Sequence, residues 1–252
     1  SFQNAITIDQ TNGTAGQAYP IGTVQYPVNN LTDAKFIAQL RGLDSFNIRG
    51  NFVFGASDIT DGFTYQGQSA FKTSITLTEA ATITNCIFID ATISGFLDGG
   101  NSVINCTIKG LNYVDGRVEK CELGVGDIVL NGTSASFIDC YSGVAGGGVN
   151  QTPIIDMGGG PTDLIIRNYS GGLELQNSTT GFSNASIDLN SGRVIFDSTI
   201  SAGAFIVRGV GSVTDNSTGT ASIQSPVIEN LLRTINEGVK RASKLVPHNT
   251  TI

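Results

Sequence analysis

The sequence predicts an all-β fold: a single-stranded right-handed parallel β-helix, or solenoid, with a short N-terminal capping helix and a C-terminal helix. Three observations predict it. A phrase returns through the middle of the chain: Thr84-Asn85-Cys86-Ile87-Phe88, Ile104-Asn105-Cys106-Thr107-Ile108, Glu119-Lys120-Cys121-Glu122-Leu123 and Ile138-Asp139-Cys140-Tyr141. Its cysteines stand 20, 15 and 19 residues apart, at the short end of the period with which one turn of a solenoid stacks on the next. Short runs rich in Ile, Val, Phe and Thr alternate with a two-residue period between glycine or asparagine turns, which sends one side of each run inward. Charged residues make up 14% of the chain, against a typical ~25%, and helix-favouring Glu, Lys and Met are scarce. An antiparallel sandwich would also give short strands and turns, but the repeated phrase favours the coil.

Three segments follow in order: an extended N-terminal arm (1–30), a capped β-helix (31–225), and a C-terminal helix and tail (226–252). The arm is rich in turn residues, as in Thr11-Asn12-Gly13-Thr14-Ala15-Gly16. The first helix spans 31–41, with Thr32 as N-cap, Ala34, Phe36, Ile37, Ala38 and Leu40 on its apolar side, and Gly42 as its stop. Its expected work is to cover the open first turn, whose core and strand edge are otherwise bare.

Short β runs then continue from Phe46 to about Val213, and Phe63, Tyr65 and Phe71 are expected to fill the first turns of the core. Residues 144–162, with two triple glycines, read as a protruding loop. No strand–loop–helix context or GK[ST] accompanies them, so they do not read as a phosphate cradle. In the tail, Pro226 precedes a pattern with Ile228, Ile235 and Ala242 seven apart and Leu232, Val239 and Val246 seven apart. This helix either closes the lower end of the solenoid or forms a self-association seam through Ile228, Leu231, Leu232, Ile235, Val239 and Ala242, as heptad-spaced apolar residues do.

The net charge of −7 and the lack of a basic run exclude a nucleic-acid-binding surface. No apolar stretch approaches the ~20 residues of a membrane span. The cysteines Cys86, Cys106, Cys121 and Cys140 read as an inward ladder of stacked free thiols, which the turn-length spacing favours over disulfide bridges. With no CxxC pair and one histidine, His248, the chain offers no metal site and no cofactor motif. Ten Asn-X-Ser/Thr sequons fit the abundance of Asn, Ser and Thr better than they fit glycosylation.

Solenoids can carry polysaccharide-cleaving sites, which need two carboxyl groups ~5–9.5 Å apart. The candidates are Asp90, Asp98, Asp115, Glu119, Glu122 and Asp139; none sits in a compact motif with a supporting His, Lys or Arg. There is no G-x-S-x-G elbow. No catalytic residue is assigned.

One stretch carries a resemblance. Tyr19-Pro20-Ile21-Gly22-Thr23, Tyr26-Pro27-Val28-Asn29-Asn30-Leu31-Thr32-Asp33-Ala34, Gly42-Leu43 and Ile48-Arg49-Gly50-Asn51-Phe52 resemble an opening found in tailed-bacteriophage virion proteins, where it leads into a right-handed parallel β-helix. The resemblance implies a structural part of the particle: a tail or baseplate component, a head fibre or a capsid decoration protein. Such a part is made in the host cytoplasm and sits on the virion exterior, without catalysis. Its implied partners are other copies of itself, commonly three, and other virion proteins. Two other roles stay open: a tailspike-like depolymerase, and a non-catalytic adhesin for a host surface glycan.

Overall fold

In the computed structural model the described residues are 3–124, 126–130, 134–143, 152–225 and 234–235. They form a parallel β-solenoid in which every named strand pair is parallel. One face stacks the rungs Ile6–Ile8, Ser45–Ile48, Thr64–Gln66, Ile87–Ile89, Ser102–Ile104, Arg117–Glu119 and Ser134–Ile138. It continues through the openings of Asp163–Gln176 and Asn184–Phe196 to Ala204–Gly209 and Ser222–Gln224. A second face runs from Gly50–Val53 through Thr73–Leu77, Thr92–Leu97 and Thr107–Tyr113 to Ser212–Asp215. A small third sheet pairs Ile59–Asp61 with Thr82–Thr84.

Period-two alternation builds the core. On the first face one inward column reads Ile6, Phe46, Tyr65, Phe88, Val103, Val118, Phe137, Ile166, Ile187 and Val207, all buried. The wide early turns are filled by aromatic rings: Phe46 stacks on Phe63 at 4.8 Å and Tyr65 on Phe88 at 5.3 Å. The Tyr65 hydroxyl finds a partner in Thr60 Oγ1 at 2.7 Å, as a buried phenol requires. Phe71, expected in this core, is 99% exposed: it lies in the turn before Thr73–Leu77, outside the alternation that turns side chains inward.

The described residues 3–30 are not an extended arm. Ile6–Ile8 is the first rung, paired with Ser45–Ile48, and Val28 is buried beside it and donates its N–H to Thr7 O at 2.9 Å. Ile6 and Ile8 supply the apolar positions that an arm would leave in water. Helix α1 spans Leu31–Arg41 and ends at Gly42 in the left-handed region, as the sequence predicts. Its N-cap is Asn30, not Thr32: Asn30 Oδ1 accepts the Asp33 N–H at 2.8 Å. The Asn30 and Gln17 side chains and the Gly16 N–H hold the Asp33 carboxyl below its ordinary range. Leu31, Ala34, Ile37 and Ala38 join the core, whereas Phe36 and Leu40 face solvent.

The protruding loop expected over 144–162 holds a rung of the second face, Ile154–Asp156, with Ile155 and Met157 buried; residues 144–151 lie outside the described residues. At the other end, Thr234–Ile235 is a two-residue strand parallel to Ser212–Asp215, not part of a helix. The rest of the helix predicted over 226–246, with Ile228, Leu231, Leu232, Val239 and Ala242, lies outside the described residues.

Candidate functional site: the cysteine corner and the outer carboxylates

The recurring phrase marks the corner between the first and second faces. Asp90, Asn105, Lys120, Asp139 and Asn168 stand there, each with φ between 52° and 56°. A left-handed residue turns the chain sharply; after glycine, Asn and Asp tolerate it best, and other residues pay about 1–2 kcal/mol. The polar residue before Cys106, Cys121 and Cys140 is this corner residue. Its side chains also bond along the axis: Asn105 Nδ2 donates to Asp90 Oδ1 at 2.6 Å and Asn168 Nδ2 to Asp139 Oδ1 at 2.9 Å.

The next residue points inward, giving the column Ala91, Cys106, Cys121, Cys140 and Tyr169. Backbone bonds fix its order: Thr107 N–H donates to Ala91 O, Glu122 N–H to Cys106 O, and Tyr141 N–H to Cys121 O. All four cysteines are buried and free. Each stacked thiol reaches the carbonyl two residues earlier and one on the turn below. For Cys121 these are Glu119 O at 3.0 Å and Val103 O at 3.5 Å. For Cys140 they are Ile138 O at 3.4 Å and Val118 O at 3.6 Å. Cys106 N–H donates to Cys121 Sγ at 3.3 Å.

Cys86 does not belong to this ladder. It sits at the corner that enters the first face, where its N–H donates to Asn101 Oδ1 at 2.8 Å. Asn101 is its neighbour on the next turn, because Ile87 pairs with Ser102. The gap of 20 residues from Cys86 to Cys106 is therefore not one turn: it is the 15-residue step from Cys86 to Asn101 plus five residues along the next turn. Asn101 was not singled out by the sequence reading, yet it is 1% exposed and its amide also donates to Ile83 O at 2.9 Å.

The corner is built for packing. The thiolate, not the thiol, is the nucleophile, and burial raises the pKa of Cys86 and pushes Cys140 up to about 11. The hydrogen bond with Cys106, together with burial, holds Cys121 in its neutral form. We expect Cys106→Ser to cost about 1–3 kcal/mol, because a hydroxyl is dearer to bury and shorter in reach. Cys106→Ala should cost less, since Ala91 already fills one place in the column; urea unfolding of the two variants checks the order.

The Cys140 thiol predicts alkaline weakening. Cys140 has an ordinary value of 9.0 and a folded value of about 11, so above pH 9 the folded state keeps a proton that the unfolded chain has released. This stability is complete below pH 9 and is lost as pH rises through 11. Urea midpoints measured under reducing conditions should fall across that window, and Cys140→Ala should flatten part of the fall.

The candidate carboxylates are dispersed around the coil. Asp90 and Asp139 share the corner but stand three rungs apart, about 14 Å at ~4.8 Å per rung, beyond glycosidase range. Asp98 and Asp115 lie on adjacent turns, and each accepts the N–H of the glycine that follows it. Glu119 pairs with Arg117, and Glu122 accepts from Thr107 Oγ1 at 3.2 Å. Among the described residues no group of three His, Cys, Asp or Glu could hold a metal ion, and no helix is long and apolar enough to cross a membrane. A hollow of about 250 Å³ lies between α1 (Leu31, Thr32, Lys35) and Ser57, Asp58 and Ile59. No family model, curated protein or solved structure matches this chain.

Proposed function

We propose that this protein is an architectural part of a tailed-phage particle, carried on the particle's exterior, which assembles with copies of itself and docks on other virion proteins. The observation that supports this reading best is the unbroken inward column from Ile6 to Val207. A body whose turns each rest on their neighbours gains length and persistence from stacking alone. The resemblance of residues 19–52 to the opening of phage virion proteins points the same way. In this reading the coil is right-handed and α1 covers its first turn.

Immunogold labelling of particles from a phage culture that encodes the chain tests the proposal. Label on the particles is expected; label confined to the soluble lysate would overturn it. Incubating the purified chain with bacterial surface polysaccharides and whole cells separates the rivals. New reducing ends would favour a depolymerase, and retention on cells without product would favour an adhesin.

A further inference from the structure

Three Asp-Gly steps stand at the corner that enters the first face. Asp61-Gly62 precedes Thr64–Gln66, Asp98-Gly99 precedes Ser102–Ile104, and Asp115-Gly116 precedes Arg117–Glu119. Their sequences are alike, but the fold holds them in two ways. At the last two steps the carboxyl accepts from the very next amide. Gly99 N–H donates to Asp98 Oδ1 at 2.6 Å, and Gly116 N–H to Asp115 Oδ1 at 2.7 Å. An aspartate in a turn ordinarily accepts from two residues on, as Asp156 does from Gly158 and Asp197 from Thr199. At the first step both groups are taken up by the next turn. Gly62 N–H donates to Thr84 O at 3.0 Å, and Asp61 Oδ1 accepts from Thr84 Oγ1 at 2.8 Å and from Asn85 Nδ2 at 2.9 Å.

We propose that Asp98 and Asp115 are sites of spontaneous backbone rearrangement, at which the folded chain converts aspartate to isoaspartate, and that Asp61 is protected from it. The glycine nitrogen bonds to Cγ of the protonated carboxyl and gives up its proton. The protonated oxygen leaves as water, which closes a five-membered succinimide. Water then adds to one of the two ring carbonyls and breaks its bond to nitrogen. Opening at Cγ restores aspartate; opening at the former backbone carbonyl leaves the chain running through Cβ and Cγ, with the α-carboxyl free. Water is the only co-reactant, and nothing is oxidised or reduced.

A standing contact between nitrogen and carboxyl supplies the approach that a flexible chain finds only by chance. Asp98 and Asp115 are exposed, so protons and water reach them. Gly99 and Gly116 bring no side chain to crowd the ring. The product adds a methylene to the main chain between Asp98 and Gly99. Asn101 ties that corner to Cys86 N–H and to Ile83 O, so the added length falls on the bonds that hold Cys86.

The test is the full wild-type chain aged in mildly acidic buffer below its melting temperature, folded and in urea. Isoaspartate is read by enzymatic methylation of its α-carboxyl and by peptide mapping. Trypsin cuts after Arg49, Lys72, Lys109 and Arg117, which puts Asp61, Asp98 and Asp115 on separate peptides. In the folded chain Asp98 and Asp115 should each rearrange at least about tenfold faster than Asp61, by way of a peptide one water lighter. In urea, which dissolves the geometry, the three rates should converge. Asp98→Glu, whose ring would need six members, should abolish the product from the 73–109 peptide, which also holds Asp90. Equal rates in the folded chain, a ratio that survives in urea, a folded chain in which Asp98 or Asp115 stays unreacted, or product that persists in Asp98→Glu would overturn the proposal.

Discussion

Gly192→Ala is expected to cost more than about 3 kcal/mol, among the larger losses a single methyl can cause. Gly192 has φ +106°, where a side chain is strained whatever the space. A Cβ there would also lie 2.0 Å from Gly171 O and 2.5 Å from Gly171 C on the turn below. Both atoms are backbone in register, since Gly171 pairs with Gly192, so neither can move without opening the ladder. Gly181→Ala is the control: a Cβ there meets nothing within 4 Å, and its effect should stay within about 0.5 kcal/mol. Urea midpoints of the two variants, measured side by side, check the contrast. Near-equal values would mean that the turns are not stacked at this distance.

Phe137→Ala should cost about 3–5 kcal/mol. Phe137 is fully buried between Val118 and Ile166 of the adjoining turns, with Tyr113 across the core at 5.6 Å. Its place in a quasi-one-dimensional stack gives the loss a location. Hydrogen exchange should quicken first in the rungs Arg117–Glu119 and Asp163–Gln176, with distant rungs little changed. Phe71→Ala removes the same ring from a 99% exposed site and should stay within about 0.5 kcal/mol.

The coil was legible because its inward positions alternate and its corners repeat. What misled was unequal turn length. A repeat read by eye assumes one period, so Cys86 looked like the first member of a column to which it does not belong. Ile6–Ile8 was missed because three residues carry little periodicity and their partner, Ser45–Ile48, lies beyond a helix. Leu164–Ile166 and Leu173–Leu175 belong to one strand, Asp163–Gln176, although glycines stand between them. There Gly171 lets the strand bend through a corner without breaking. The carboxylates could be named from sequence, but which turn each occupies depends on summed turn lengths. Asn101 carried no signal beyond being one of many asparagines.

Those unequal turns also separate two properties that most folds tie together. Val103 and Val118 are 15 residues apart, Phe137 and Ile166 are 29 apart, and each pair meets as vertical neighbours. A one-residue change inside a rung inverts the side chains that follow it in that rung. The same change between rungs costs only loop entropy, about 0.6 kcal/mol for a doubling. The perimeter of this molecule can therefore accept foreign sequence and diversify quickly around an interior that stays fixed.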